Sequence, residues 1–256
     1  MTAPPRIFSL LLFDLAEAFD SIPWVLYYWF FFAFEFFVYG RLISALVVKP
    51  DNYIFYYGTG LLVLILFNTA SWVGRGFVES AHEGRLKYLL SLPMARNDLF
   101  FEQIMLGVVV NTVRLTPPLA IIMWLSGVMT PTVLLSTLAI ITLLSIAVIG
   151  LMVALSFVAF RSFDIYSAVV AGLSALLIRF STMYYPLAYM PTAYADVSLG
   201  NPMTYGTDLL RRMLGFSPSL LLDPYLAAVV VLALVIGALF AGMFTISHAV
   251  EGVKSS

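Results

Sequence analysis

The chain has no cysteine, so it carries no disulfide framework, no thiolate nucleophile and no cysteine-ligated metal. It is also poor in charge. Asp, Glu, Lys and Arg make up 11% of its 256 residues, where a soluble globular domain carries about 25%; a normal soluble surface cannot be built from so few. The net charge of -1 leaves no basic face of the kind that nucleic-acid binding requires. Only two histidines occur, His82 and His248, too far apart in sequence to make a metal site by spacing. His82 stands beside Glu83, but no second histidine or carboxylate motif joins the pair. No glycine-flanked serine with a His or Lys partner lies in the apolar stretches, which argues against an intramembrane hydrolase. There is no G-x-x-x-x-G-K-[ST] phosphate loop, so if ATP drives this protein, another polypeptide binds it. We assign no catalytic residue, no metal site and no cofactor held by this chain.

What is abundant is hydrocarbon, with 62% of residues hydrophobic. No Asp, Glu, Lys or Arg occurs between Asp51 and Arg75, between Arg114 and Arg161, or between Asp223 and Glu251. About 20 apolar helical residues cross a bilayer core, which predicts an all-α membrane protein. Six transmembrane helices are expected: Ile22–Val47, Tyr53–Val73, Phe100–Leu125, Val133–Phe160, Ile165–Tyr185 and Tyr225–Ser247. They form one transmembrane domain over residues 1–256, with no repeat, low-complexity tract or separate soluble unit.

Residues 1–20 are not a cleavable signal, because Asp14 and Glu17 cut the apolar run. Ile7, Leu10, Leu11 and Leu15 recur near helical spacing while Asp14, Glu17 and Asp20 follow another stripe, the pattern of an amphipathic helix lying on the membrane surface. Basic residues orient the spans. A cytoplasmic N-terminus puts Arg6, Arg75, Arg85, Lys87, Arg96, Arg161 and Lys254 on that side, against Lys49, Arg211 and Arg212 outside, with Arg41 near the boundary. Both termini are therefore expected in the cytoplasm. Between spans five and six, residues 186–223 are broken by Pro186, Pro191, Pro202, Pro218 and Pro224. Irregular backbone survives at membrane depth only where protein or water satisfies it; short broken helices re-entering the outer leaflet are expected, or else an external loop packed on the bundle.

One long polar stretch interrupts the hydrocarbon: "VESAHEGRLKYLLSLPMARNDLFFEQI", Val78 to Ile104. Within residues 78–98, Glu79, Glu83, Arg85 and Lys87 accompany a stripe of Leu86, Leu89, Leu90 and Leu92 that Pro93 ends. A short amphipathic helix at this place suits a groove on a partner protein, or lipid headgroups, which Arg85 and Lys87 would suit as well.

The segment resembles the permease subunits of type-2 ATP-binding-cassette exporters, which carry a pattern close to E-x-x-x-G-T-L-E-x-L-L-x-x-P after the second span. Glu79, Glu83, Gly84, Leu86, Leu89, Leu90 and Pro93 fall on it; Arg85 and Lys87 depart from its Thr and Glu. "NPMTYGTDLLR", with Asn201, Pro202, Tyr205, Asp208 and Arg211, is similar to a block before the family's last span. The resemblance implies two permease copies working with two copies of a separate ATPase, which uses ATP and Mg, in the inner membrane of a prokaryote. On that reading residues 78–98 are a coupling helix, with Leu86, Leu89 and Leu90 as anchors in the ATPase, Glu79 and Glu83 as charge partners, and Gly84 allowing close approach.

Three charges lie well inside spans, away from their ends. Glu35, Arg114 and Arg179 each stand roughly 20 Å from the start of their helix at about 1.5 Å per residue. A shared depth suggests a buried polar cluster, either structural or on the substrate path. Glu35 could instead carry protons in an ion-coupled transporter, the alternative from another class. The aromatic run "WVLYYWFFFAFEFFVYG" either lines a pathway or faces lipid, and Pro117 and Pro118 should kink or interrupt span three. For an exporter, a hydrophobic or amphipathic cargo (drug or lipid) fits a path without dense charge; a lipid-linked polysaccharide is the alternative.

Overall fold

The structure, a computed structural model, describes residues 6–20, 22–46, 53–91, 96–158, 162–216 and 223–254. Among them every regular element is helical. In chain order these are α1 (Arg6–Asp20), α2 (Ile22–Leu46), α3 (Tyr53–His82), α4 (Arg85–Ser91), α5 (Arg96–Ser126), α6 (Pro131–Val158), α7 (Phe163–Arg179), α8 (Thr192–Leu199), α9 (Pro202–Met213) and α10 (Pro224–Lys254). The expected span ends Val47 and Phe160, the stripe residue Leu92, the motif residue Pro93 and the loop residues Lys49, Arg161 and Pro218 lie outside the described residues.

Five helices are long and apolar enough to cross a membrane: Ile22–Leu46, Tyr53–His82, Asn97–Ser126, Pro131–Phe157 and Pro224–Ile246. They coincide with five of the six expected spans. Three of these helices, α3, α5 and α10, run longer than the apolar pattern suggests. At 30 and 31 residues, α3 and α5 measure about 45 Å each, against a hydrocarbon core of about 30 Å. Their polar ends therefore stand clear of the core as a stalk, with α4 between them. The expected fifth span is shorter. Helix α7 has 17 residues, about 25 Å, and the chain then turns through Phe180 to Pro191 before α8.

Helix α3 is the axis of the bundle and is buried on nearly every side, the pattern of a helix hydrophobic all round. It packs against α5, α6 and α7, while α10 lies along α6. Because lipid tails are as apolar as leucine, helix packing in a membrane rests on close fit and on polar links rather than on a hydrophobic drive. Gly60 supplies a close fit of backbone on backbone: a Cβ there would overlap the Met183 carbonyl. Phe77 and Phe157 pack with ring centroids 4.4 Å apart.

Two local features modify the spans. Helix α2 widens into a π-helical turn at Glu35–Tyr39, and the Phe36 ring from that turn packs against Gly58 of α3. Helix α5, expected to kink or break at Pro117 and Pro118, stays one helix through both. Pro118 has no N–H for the carbonyl four residues before it, that of Arg114. The Trp29 indole N–H of α2 donates to that carbonyl at 3.2 Å, so the neighbouring helix satisfies the group the proline leaves open.

Most of the aromatic run of α2 faces outward. Phe30, Phe34, Phe37 and Tyr39 are exposed on the bundle, while Phe32 and Phe36 are buried in the core.

Candidate functional site

At the bundle end away from α4, the turn between α7 and α8 exposes backbone carbonyls that must find donors inside the protein. The "NPMTYGTDLLR" block supplies them. Asn201 caps α9 by accepting the Met203 N–H at 3.0 Å, and its amide donates back to the Leu177 carbonyl at 2.9 Å, closing the last turn of α7. Pro202 occupies the first helical position, where its missing N–H costs nothing. Tyr205 donates to the Leu199 carbonyl at 2.8 Å.

Arg211 was expected in an outer loop; it is 1% exposed. Its guanidinium donates to the Thr182 carbonyl (2.8 Å), the Met183 carbonyl (2.9 Å), the Tyr56 carbonyl (3.0 Å) and the Thr59 hydroxyl (2.9 Å). It lies 3.3 Å from the centroid of the Tyr56 ring. A planar fork with several donors is what such a break needs. Asp208 does not pair with it; Asp208 accepts from Arg212 at 2.9 Å, one turn on. Tyr53 and Tyr56 add hydroxyl donors to the Tyr184 (2.6 Å) and Thr182 (2.7 Å) carbonyls. Those tyrosines escaped the sequence reading, although "YIFYYGTG" puts polar tips one turn apart on an otherwise apolar helix.

The expected Glu35–Arg114–Arg179 cluster does not assemble: among the described residues no ion pair joins any two of them. Equal depth along three helices says nothing about which way each side chain turns. The Glu35 carboxylate accepts the Tyr57 hydroxyl at 2.6 Å, and Arg179 is exposed. Arg114 is 2% exposed and meets no carboxylate. It donates to the Thr69 hydroxyl at 3.2 Å and lies 4.7 Å from the Tyr28 ring centroid and 5.2 Å from that of Trp72. Its Nε has no hydrogen-bond partner among the described residues.

Arg114 lines a cavity of about 630 Å³ between α2, α3 and α7. The α3 wall is one helical face, Asn68, Ser71, Trp72, Arg75 and Glu79; the α7 wall is another, Ser167, Val170, Ala171 and Ser174; Trp24 and Tyr28 close it from α2. Of the aromatic run, only Trp24 and Tyr28 reach the cavity. At its far end Arg75 and Glu79 pair across one turn at 3.0 Å, both about half exposed.

A second cavity of about 320 Å³ continues past Trp24, Trp72 and Glu79 to Asp14, Glu17, Glu83 and Arg85. Here α1 departs from its expected placement on the membrane surface alone: Leu11, Leu15 and Ala18 pack against Leu106 and Val110 of α5. Arg85 binds Asp14 and, at 3.3 Å, Glu17, tying α1 to α4. Burial raises the Asp14 pKa, and the Arg85 cation only partly offsets this. For Arg85 the order reverses: burial lowers its pKa, but the Asp14 and Glu17 carboxylates together raise it above the ordinary value.

The α4 segment corrects the expected anchors. Leu86 is 6% exposed and belongs to the core of this chain, so it is not free to enter a partner; Leu89 packs against that core and is partly buried. Of Leu90, only its place in α4 is described. Tyr88 of α4 is 65% exposed, and His82, Glu83 and Ser91 are exposed as well. Glu79 is held by Arg75, as above. Gly84 has φ of +79° with open space where a side chain would stand, so it reverses the chain between α3 and α4 rather than admitting a close neighbour.

No curated protein matches this chain. The model of one protein family, ABC-2 type transporter, matches residues 51–214, from the edge of α3 through α9, and so takes in the cavity walls of α3, α5 and α7, the α4 segment and the Arg211 network.

Proposed function

The chain belongs to the ABC-2 type transporter family as an integral, multi-pass membrane permease subunit, and we propose that it forms the path by which an ATP-driven exporter moves a hydrophobic or amphipathic small molecule. Family permeases work with a separate ATP-binding subunit, which favours ATP over a proton gradient as the energy source. Two such ATPases, using ATP and Mg, would drive a pair of permeases in the inner membrane of a prokaryote, with both termini in the cytoplasm.

The observation that carries the reading is the cavity. Its volume of about 630 Å³ falls in the range of about 300–1,000 Å³ typical of small-molecule sites. Aromatic and small polar side chains line it together, which suits an amphipath, and a drug or lipid fits that volume better than a glycan chain. Its polar mouth at Arg75 and Glu79 adjoins α4, so motion delivered there reaches the cavity wall along α3 directly. The outward face around Tyr88 is the contact for the ATPase, with Glu83 as charge partner. Helix α7 rises from the level of Arg75, whose guanidinium lies over the Phe163 ring, as the fifth span, and α8 and α9 re-enter the outer leaflet beyond its end. Its exposed Ala168, Gly172 and Ala175 form a small-residue face of the kind that lets two membrane helices approach, supporting a second permease copy there.

The test is purification from the native membrane followed by reconstitution. A co-purifying ATPase whose hydrolysis an amphipathic compound stimulates is the expected result. Transport that runs on a proton gradient without any ATPase would overturn the reading.

A further inference from the structure

Resting on the exporter reading above, we infer that the α2–α3–α7 cavity selects an anionic amphiphile, an apolar body bearing a phosphate, carboxylate or similar acid group that docks on Arg114. Arg114 is a full cation, 2% exposed, on a wall of the cavity. None of the ion pairs among the described residues includes it. Its protein contacts are one hydroxyl, that of Thr69 at 3.2 Å, and two ring faces, Tyr28 and Trp72. The Nε donor is left with no partner.

Burying an uncompensated cation is unfavourable, and intramembrane arginines ordinarily pair with an acid or with backbone carbonyls. The contrast inside this chain is direct. Arg211, equally buried, uses its fork on three carbonyls and a hydroxyl, and has no donor left over at Nε. Arg114 gives one hydrogen bond, to a hydroxyl, and stands in the cavity wall with its Nε donor unspent and buried. An oxyanion in the cavity would be drawn to this cation, and a small turn of the guanidinium would bring the unspent Nε–H to it, completing the fork with which guanidinium groups bind carboxylate and phosphate. The remaining walls suit the body of the ligand: Trp24, Tyr28 and Trp72 offer aromatic surface, and Val170 and Ala171 offer aliphatic surface. The carboxylate in the same cavity, Glu79, sits at the opposite mouth and is held by Arg75, so it does not neutralise Arg114.

The experiment uses the purified full chain in a neutral maltoside detergent. Equilibrium binding of radiolabelled dodecyl phosphate is measured, with dodecylphosphocholine and inorganic phosphate as competitors, and tryptophan emission reports occupancy beside Trp24 and Trp72. Expected is saturable dodecyl phosphate binding, at least tenfold tighter than for the zwitterionic compound of equal tail, and not displaced by equimolar inorganic phosphate. Arg114→Gln should lose that preference and Arg114→Lys should retain most of it. Displacement by phosphatidylglycerol added to the micelles identifies a bilayer lipid as the source of the acid group; no displacement identifies a soluble amphiphile. Equal affinity for the two dodecyl compounds in the unaltered protein overturns the inference without recourse to a variant that must fold. Equal competition by inorganic phosphate overturns it too, by making the site one for free anions. Because no ATPase is present, either failure leaves the exporter reading to its own reconstitution test.

Discussion

Replacing Arg211 should unseat the break between α7 and α8 more than any charge on the outside of the bundle. The perturbation is Arg211→Met, which keeps most of the volume and removes every donor. Four hydrogen bonds to a charged group at about 1.5–3 kcal/mol each would set a ceiling of about 12 kcal/mol. Two features bring the net cost below that. Deleting the guanidinium also removes the cost of desolvating it, and two of its acceptors keep other donors. The Tyr56 carbonyl retains the Thr59 hydroxyl at 2.7 Å, and the Thr182 carbonyl retains the Tyr56 hydroxyl at 2.7 Å. The Met183 carbonyl is orphaned, at about 1–3 kcal/mol, and the cation over Tyr56 is lost, at about 1–2 kcal/mol. The sum is about 2–5 kcal/mol. For a chain of this size each kcal/mol moves the melting midpoint by roughly 2–4 °C, so a fall of about 10 °C is expected in neutral detergent, read by loss of the monodisperse peak on heating. Arg211→Lys should fall about half as far, since one ammonium cannot reach all four acceptors. The exposed Arg179→Gln is the control, expected to stay within about 2 °C because surface changes cost little. If Arg211→Met also stays within 2 °C of the unaltered protein, the guanidinium does not hold the break and the account of the motif is wrong.

Other substitutions separate the α4 segment's two faces and its attachments. Tyr88→Asp should leave the midpoint unchanged but abolish co-purification of the ATPase, whereas Leu86→Asp should lower the yield of folded permease by forcing a carboxylate into the core; loss of folding in the first and normal folding in the second would reverse the assignment of faces. Gly84→Ala places a side chain at a φ of +79° at about 1 kcal/mol, and should cut substrate-stimulated ATP hydrolysis severalfold while the permease still inserts; full coupling would show that the turn is not strained. Arg85→Gln should raise amide hydrogen exchange across residues 6–20 without altering exchange in α3, since it releases Asp14 and Glu17 together; unchanged exchange would mean that the Leu11 and Ala18 contacts hold α1 alone. Gly60→Val should prevent normal assembly, because its side chain must occupy the space of the Met183 backbone, and a well-folded variant would contradict the packing described for α3.

What the amino-acid order settles by itself is the class of molecule and the rough place of each element. A run without charge such as residues 52–74 has no soluble solution, and the 3.6-residue pitch with a rise of 1.5 Å converts run length into a crossing, which is why five spans were legible, although α3 continues to His82, past its expected end at Val73. The polar segment at 78–98 and the two motifs were visible for the same reason, as contrast along one dimension. The direction in which a side chain turns about its helix is not written in that dimension when the helix is apolar all round. Glu35, Arg114 and Arg179 stand at similar heights, yet one meets Tyr57, one a cavity and one the exterior, because the azimuth of each depends on which helices lie beside it. Leu86 and Leu89 had the spacing of a partner-binding stripe, and only the packing of α4 on α3 shows that they meet this chain's own core. Arg211 carried its charge in the sequence in full view; that it would be buried was decided by the carbonyls of Tyr56, Thr182 and Met183, which the fold gathers from more than 25 residues away along the chain.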